Sequence, residues 1–286
     1  MMSAQSLTLR PSVSINTSAN FQESFTVGSQ FLEEKFLDQH LLTTEAIRKG
    51  FKDFYYHYKK ISLKKLKNKE IKELLIEYQS HFHHIGSYYK ISQPEYLEPA
   101  RLALEKFVLN IFYSSQVEKI VTILTTPRDM DVIVEEEMLA LECSFYKKLS
   151  DEILWAYAER FPWLFCGMYN RKQILNSLQR KFASLSLLRT EERKKRLQSI
   201  VEDFQQKQKK YHHVLAECDN DRDIMYLASV FEKLALDRLK LKASLEGAEY
   251  LFLDLFEEVA RRIGIPLQEL MIYSVNDIVV FFNKDA

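Results

Sequence analysis

LASVFEKLALDRLKLKASLEGAEYLFLDLFEEVARRI, residues 227–263, places apolar side chains at Leu227, Phe231, Leu234, Leu241, Leu245, Ala248, Phe252, Leu255, Val259 and Ile263. Steps of three, four and seven return to one face of an α-helix. The spacing predicts a long C-terminal helix from about Asp221 to Gly264. Its stripe would run roughly 55 Å at 1.5 Å per residue. That is too long for the core of one compact bundle unless other helices pack along most of it. The fold expected is all-α, an elongated multi-helix bundle.

Composition agrees. Six Gly and six Pro in 286 residues leave few of the punctuators that sheets, hairpins and phosphate-binding loops need. A hydrophobic content of 47% is enough for a substantial core. Working outward from the stripe, helices are expected at about 21–37 with an interruption near Gly28, at 44–60 weakened by Gly50, and at 68–86, where Gly86 ends or bends the run. Asn68, Ser92 with Glu95, and Ser115 with Glu118 read as N-terminal caps. Ser150 or Asp151, Asn170 and Thr190 open further helices, Gly264 suits a left-handed cap, and Ser274 with Asp277 opens a last one. Residues 1–17 are Ser/Thr-rich and read as a flexible arm before a helical domain over 18–286, with a possible subdomain boundary near 161–170.

Forty basic residues balance forty acidic ones, so no global field concentrates nucleic acid or an anionic membrane. The balance is uneven along the chain. Twelve Lys or Arg against four Asp or Glu lie between Arg171 and Lys210, and eight acidic residues lie between Asp129 and Glu152. These segments are solvated faces, partners of each other, or a partner-binding surface. Three widely spaced cysteines, no signal peptide and no apolar run of transmembrane length predict a soluble, cytoplasmic protein.

Chemistry-bearing constellations are sparse. Glu77, His81 and His84 share a helical face but fit neither HExxH nor a diiron ExxH pair, so no metal or other cofactor is expected. Glu135, Glu136 and Glu137 splay around a helix rather than converge, and no Ser or Cys sits in a nucleophile motif. No catalytic residue is assigned. Arg238 occupies a stripe position where an apolar residue belongs; it either pairs within the chain, extends its head to water, or meets an anion or a partner. Trp155 and Trp163 flank Arg160, Phe161 and Pro162, and they wall a pocket for a bulky apolar small molecule or plug two subdomains together.

Two stretches carry a family likeness, ERFPWLFCGMYN at 159–170 and LFEEVARRIGIPLQELMIYSVNDIVVF at 255–281, and YYKISQPEYLEP at 88–99 is compatible with the same segment. They resemble the helical central segment of phosphoenolpyruvate-utilising phosphotransferases, the group of phosphoenolpyruvate synthase-like enzymes and rifampin phosphotransferase. The resemblance spans about 30–280 and implies a helical rod preceding a swivelling phosphohistidine domain. This chain has neither an ATP-grasp segment nor a Gly-rich Thr-Ser-His loop, so no catalytic residue of that family carries over. The resemblance therefore implies a non-catalytic substrate-binding or linker module working with separately encoded ATP-grasp and phosphohistidine domains. The alternative is a helical protein-interaction or scaffold protein using the basic 171–210 face or the long helix.

Overall fold

The computed structural model describes residues 18–146 and 148–284; the arm expected over 1–17 lies outside them. Among the described residues the chain forms thirteen α-helices and no strand. In order they are α1 Ser18–Gly28, α2 Glu34–Tyr58, α3 Asn68–Ile91, α4 Glu98–Leu109, α5 Ser114–Thr125, α6 Val132–Cys143, α7 Asp151–Arg160, α8 Arg171–Ser186, α9 Thr190–Glu217, α10 Arg222–Leu251, α11 Leu253–Ile263, α12 Leu267–Leu270 and α13 Val275–Lys284. Single 3₁₀ turns at Ser29–Leu32, Leu63–Lys65, Pro94–Leu97 and Pro162–Phe165 join some of them. No helix among the described residues is long and apolar enough to cross a membrane.

The all-α expectation holds, but the continuous C-terminal helix does not. It breaks at Phe252, whose backbone (φ −103°, ψ 19°) leaves the helical region between α10 and α11. Two physical reasons converge. A stripe repeating every seven residues drifts about 20° per heptad around a straight helix, roughly 100° over this length. In addition, Tyr250 and Leu253 enter one core while Phe252 enters another, which one uninterrupted helical face cannot supply. The Phe252 ring is fully buried, 4.9–5.8 Å from the rings of Tyr58, Phe54, Tyr78, Phe51 and Tyr55.

Three hydrophobic cores meet on α10. Its first half, with Leu227, Phe231 and Leu234, joins α4, α5 and the end of α9. Its second half, with Leu241 and Ala248, joins the C-terminal half of α2, α3, α11 and α13. A third core gathers α6, α7, α8 and the Pro162–Phe165 turn around Tyr250 and Leu253. α10 is thus a buried spine, where the sequence suggested a terminal rod. Gly247 lets the Pro162 turn close on it: a Cβ there would stand 2.5 Å from Pro162 Cγ.

Local signals fared unevenly. Gly264 caps α11 at φ 79°, donating to the Ala260 carbonyl at 2.9 Å, and Ser274 with Asp277 forms the reciprocal box that opens α13. Gly50 and Gly86, expected to weaken or end helices, lie inside α2 and α3, and α2 begins at Glu34 instead of near residue 44. Packing along the whole helix outweighs the roughly 1 kcal/mol propensity cost of one interior Gly. Ser92 closes α3 by donating to the Tyr89 carbonyl at 2.9 Å rather than opening the next helix. Asn68 accepts from Arg262 Nη1 at 3.0 Å, while Glu70 caps the backbone N–H of Lys67 at 2.7 Å. Arg262 also donates to the carbonyls of Leu63 and Leu66, so the buried Glu258, bound by Arg261 and Arg262, ties α11 to the α2–α3 connection.

Candidate functional site

The acidic and basic segments of the sequence are neighbours in space. Asp131 starts α6 by accepting from the N–H groups of Ile133 and Val134 at 2.8 and 3.0 Å. This turns Glu136 inward, 7% exposed, where the Tyr157 hydroxyl and Lys181 both donate to its Oε1 and clamp α6 to α7 and α8. Burial, then the hydrogen bond to Glu136, pushes the Tyr157 hydroxyl well above the ordinary phenol range. Arg196 of α9 donates to Glu137 at 2.8 Å, and the buried Arg193 donates to the Ser144 carbonyl beneath the Phe145 ring. Intramolecular pairing accounts for one end of the basic helix.

The other end of α9 is also anchored. The Arg128 guanidinium lies 3.2 Å above the Tyr211 ring and pairs with Glu232 of α10, and Val214, Leu215 and Cys218 enter the second core. Between these anchors, residues 197–210 contribute to none of the three cores. Leu197, Ile200 and Phe204 are only half-buried and Val201 is 37% exposed, at the spacing that elsewhere marks an interior face. An open groove of about 260 Å³ separates Ile200, Asp203, Phe204 and Lys207 of α9 from Val134 and Glu137 of α6.

A second candidate is buried at the seam between the first two cores. On α2, His40, Thr44 and Arg48 recur every four residues and face Asp237 of α10. His40, Thr44 and Asp237 are 5%, 0% and 4% exposed. Thr44 Oγ1 lies 2.9 Å from both Asp237 Oδ1 and the Leu41 carbonyl. A hydroxyl has one hydrogen, so both contacts form together only when Asp237 carries a proton and donates to Thr44. Burial raises the Asp237 pKa, in the direction of that state. His40 Nε2 stands 3.8 Å from Asp237 Oδ2, beyond hydrogen-bond range, and both atoms are unpartnered among the described residues. Burial lowers the His40 pKa to about 4, so its imidazole is neutral at physiological pH.

The residues singled out in the sequence disperse over the molecule. Arg238 is half-buried with no ion pair among the described residues, and Asp237 beside it carries the buried polar contact. Spacing could not choose between them, since Leu234 to Leu241 is bridged equally by three plus four or four plus three. His81 stacks on Phe54 at 5.2 Å with its pKa lowered by burial, whereas Glu77 and His84 are exposed. No three potential ligands converge for a metal among the described residues. Trp155 and Trp163 are half-buried against the third core, Trp163 edge-on to Phe161 at 5.1 Å. In the sequence the apolar stripe of α9 is masked by the charges around it. Leu197, Ile200 and Phe204 were its available signal. Compared with known protein families, curated proteins and solved structures, the chain matches none.

Proposed function

We propose that this chain is a non-catalytic helical module that binds and positions a separate protein chain. The observation that supports it is the middle of α9, an apolar stripe that is only partly buried and enters none of the three cores, held at both ends and beside an open groove. The chain buries Leu197, Ile200 and Phe204 only in part and leaves Val201 exposed, and a partner helix or loop would complete their burial. The buried ionisable groups fit a rigid platform: Glu136 and Glu258 tie helices together rather than converge on an opening. The resemblance to the central segment of phosphoenolpyruvate-utilising phosphotransferases names the partners to try first, separately encoded ATP-grasp and phosphohistidine domains. Cys143, Cys166 and Cys218 form no disulfide, and Cys143 and Cys218 are buried, which suits a reducing, cytoplasmic setting.

The test is calorimetric titration of the purified chain with those two domains from the same host. Binding in the micromolar range is expected, roughly −8 kcal/mol. Failure of both domains to bind at concentrations of about 100 μM would remove the phosphotransferase assignment, and failure of affinity capture to retain any host protein would remove the partner-binding reading itself.

A further inference from the structure

Independently of α9, we propose that the lysine-rich turn between α2 and α3, with the outer face of α2 that leads into it, docks on an anionic membrane surface. Between Lys49 and Glu73 stand nine lysines against three carboxylates, in a chain whose forty basic and forty acidic residues cancel. Charge is screened within about 10 Å in salt solution, so a local surplus acts even where the total is zero. On α2, Phe51, Phe54, Tyr55 and Tyr58 turn into the core, while Lys49, Lys52, Tyr56 and Lys60 recur at steps of three and four on the exposed side. In the turn, Ile61, Leu63 and Leu66 pack against the same core and leave Lys64, Lys65 and Lys67 in water. Lys69 continues the exposed series into the first turn of α3.

The turn is held in place from below. Arg262 donates to the carbonyls of Leu63 and Leu66 at 2.9 and 2.8 Å and to the Asn68 side chain at 3.0 Å, so the lysines stand on a fixed backbone. Lys60, Lys64, Lys65, Lys67 and Lys69 have no ion-pair partner among the described residues. Neighbouring carboxylates are engaged elsewhere: Glu258 by Arg261 and Arg262, Glu159 by Lys59, and Asp254 by Arg171. Even with Asp53, Glu70 and Glu73 counted, positive charge is in excess.

The chemistry favours a bilayer over other polyanions. Every formal cation from Lys49 to Glu73 is a lysine, a hydrated point charge suited to a diffuse anionic layer, whereas base edges and single phosphates select the fork of arginine. A turn at the end of two packed helices presents a ridge, which a flat layer of mobile headgroups can meet. Tyr56, 49% exposed with Lys52 Nζ 5.8 Å from its ring centroid, adds an amphipathic ring of the kind placed at headgroup level. A single nucleic-acid strand would need successive aromatic platforms instead. No helix among the described residues can cross a membrane, so the contact is peripheral.

The test is co-sedimentation of the full chain with vesicles of phosphatidylcholine alone or with about 30% phosphatidylserine. Binding is expected to the second and not to the first, and to be released as salt rises from about 0.1 to 0.5 M. A lysine near an anionic leaflet contributes about fivefold, so Lys64→Gln, Lys65→Gln, Lys67→Gln and Lys69→Gln together should weaken binding by about a hundredfold or more. The helical circular-dichroism signal should stay intact. Arginine at the same four positions should keep binding within about threefold, and Lys209→Gln with Lys210→Gln on α9 should leave it unchanged. Equal binding to both vesicles, binding undiminished by the four glutamines, or an equal loss from the α9 pair would each overturn the proposal. So would tighter binding of a DNA duplex or of polyglutamate than of the anionic vesicles at equal anion concentration.

Discussion

α9 and α10 are nearly equal in length, 28 and 30 residues, and both carry apolar residues at three- and four-residue steps. α10 is covered from several sides, with Leu227, Ala228, Val230 and Phe231 buried in near succession. α9 is fixed only at its ends, and its central stripe reaches solvent beside a groove. The difference teaches that amphipathic period marks a face to be covered without saying by what. On α10 the rest of the chain covers it. On α9 we infer that another chain does.

The sharpest way to break this contrast is to truncate one side chain in each helix system. Phe252→Ala, at the end of the spine, removes a fully buried ring among five aromatic neighbours and should cost about 3–5 kcal/mol in urea unfolding. A cost below roughly 1 kcal/mol would mean that the spine is not the centre of the fold.

The seam on α10 predicts a pH effect that α9 should lack. His40 has a folded pKa near 4 against 6.5 when unfolded, so the unfolded state takes up its proton first as pH falls. Stability should therefore drop between pH 6.5 and 4, by up to about 3 kcal/mol. Asp237 is shifted upward and works in the opposite sense, its contribution declining as pH rises through its folded pKa. Glu258, lowered to about 2 chiefly by Arg261, stabilises above its unfolded pKa and loses that contribution only at more acidic pH. Denaturation curves across this range should flatten in His40→Leu; an unchanged slope would show that His40 is not the group responsible.

Glycines give a third comparison. Gly247→Ala would push a Cβ within 2.5 Å of Pro162 and should cost about 1–3 kcal/mol, whereas Gly86→Ala meets nothing nearer than 4.0 Å and should stabilise by about 0.5–1 kcal/mol. Thermal melts of the two variants should move in opposite directions. The smallest effect belongs to α9: Phe204→Ala should change stability by about 1 kcal/mol, because the side chain is only partly buried and enters none of the three cores. A loss comparable to that of Phe252→Ala would erase the distinction between α9 and the spine.

Much of the fold was legible one helix at a time. The stripe from Leu227 to Ile263, the boundaries of α9, the Gly264 cap and the Ser274–Asp277 box all rest on local geometry, which neighbouring residues set by themselves. Gly50 and Gly86 look like interruptions in a local window, but tertiary packing, absent from that window, outweighs a single unfavourable propensity. The candidate sites were less legible. Asp237 and Arg238 are interchangeable by spacing, and the only thing separating them is that α2 brings His40, Thr44 and Arg48 against one of them.

What the sequence determined alone is therefore the all-helical class, most of the helix starts, and which faces must be kept from water. Periodicity and capping act within a few residues, so the chain states them directly. Only the tertiary structure decided that the predicted rod breaks at Phe252 and becomes a spine, that the acidic α6 answers the basic α9, and that the α9 stripe lacks a cover within the three cores. Those outcomes depend on which helix arrives opposite which, and burial is a property of the pair.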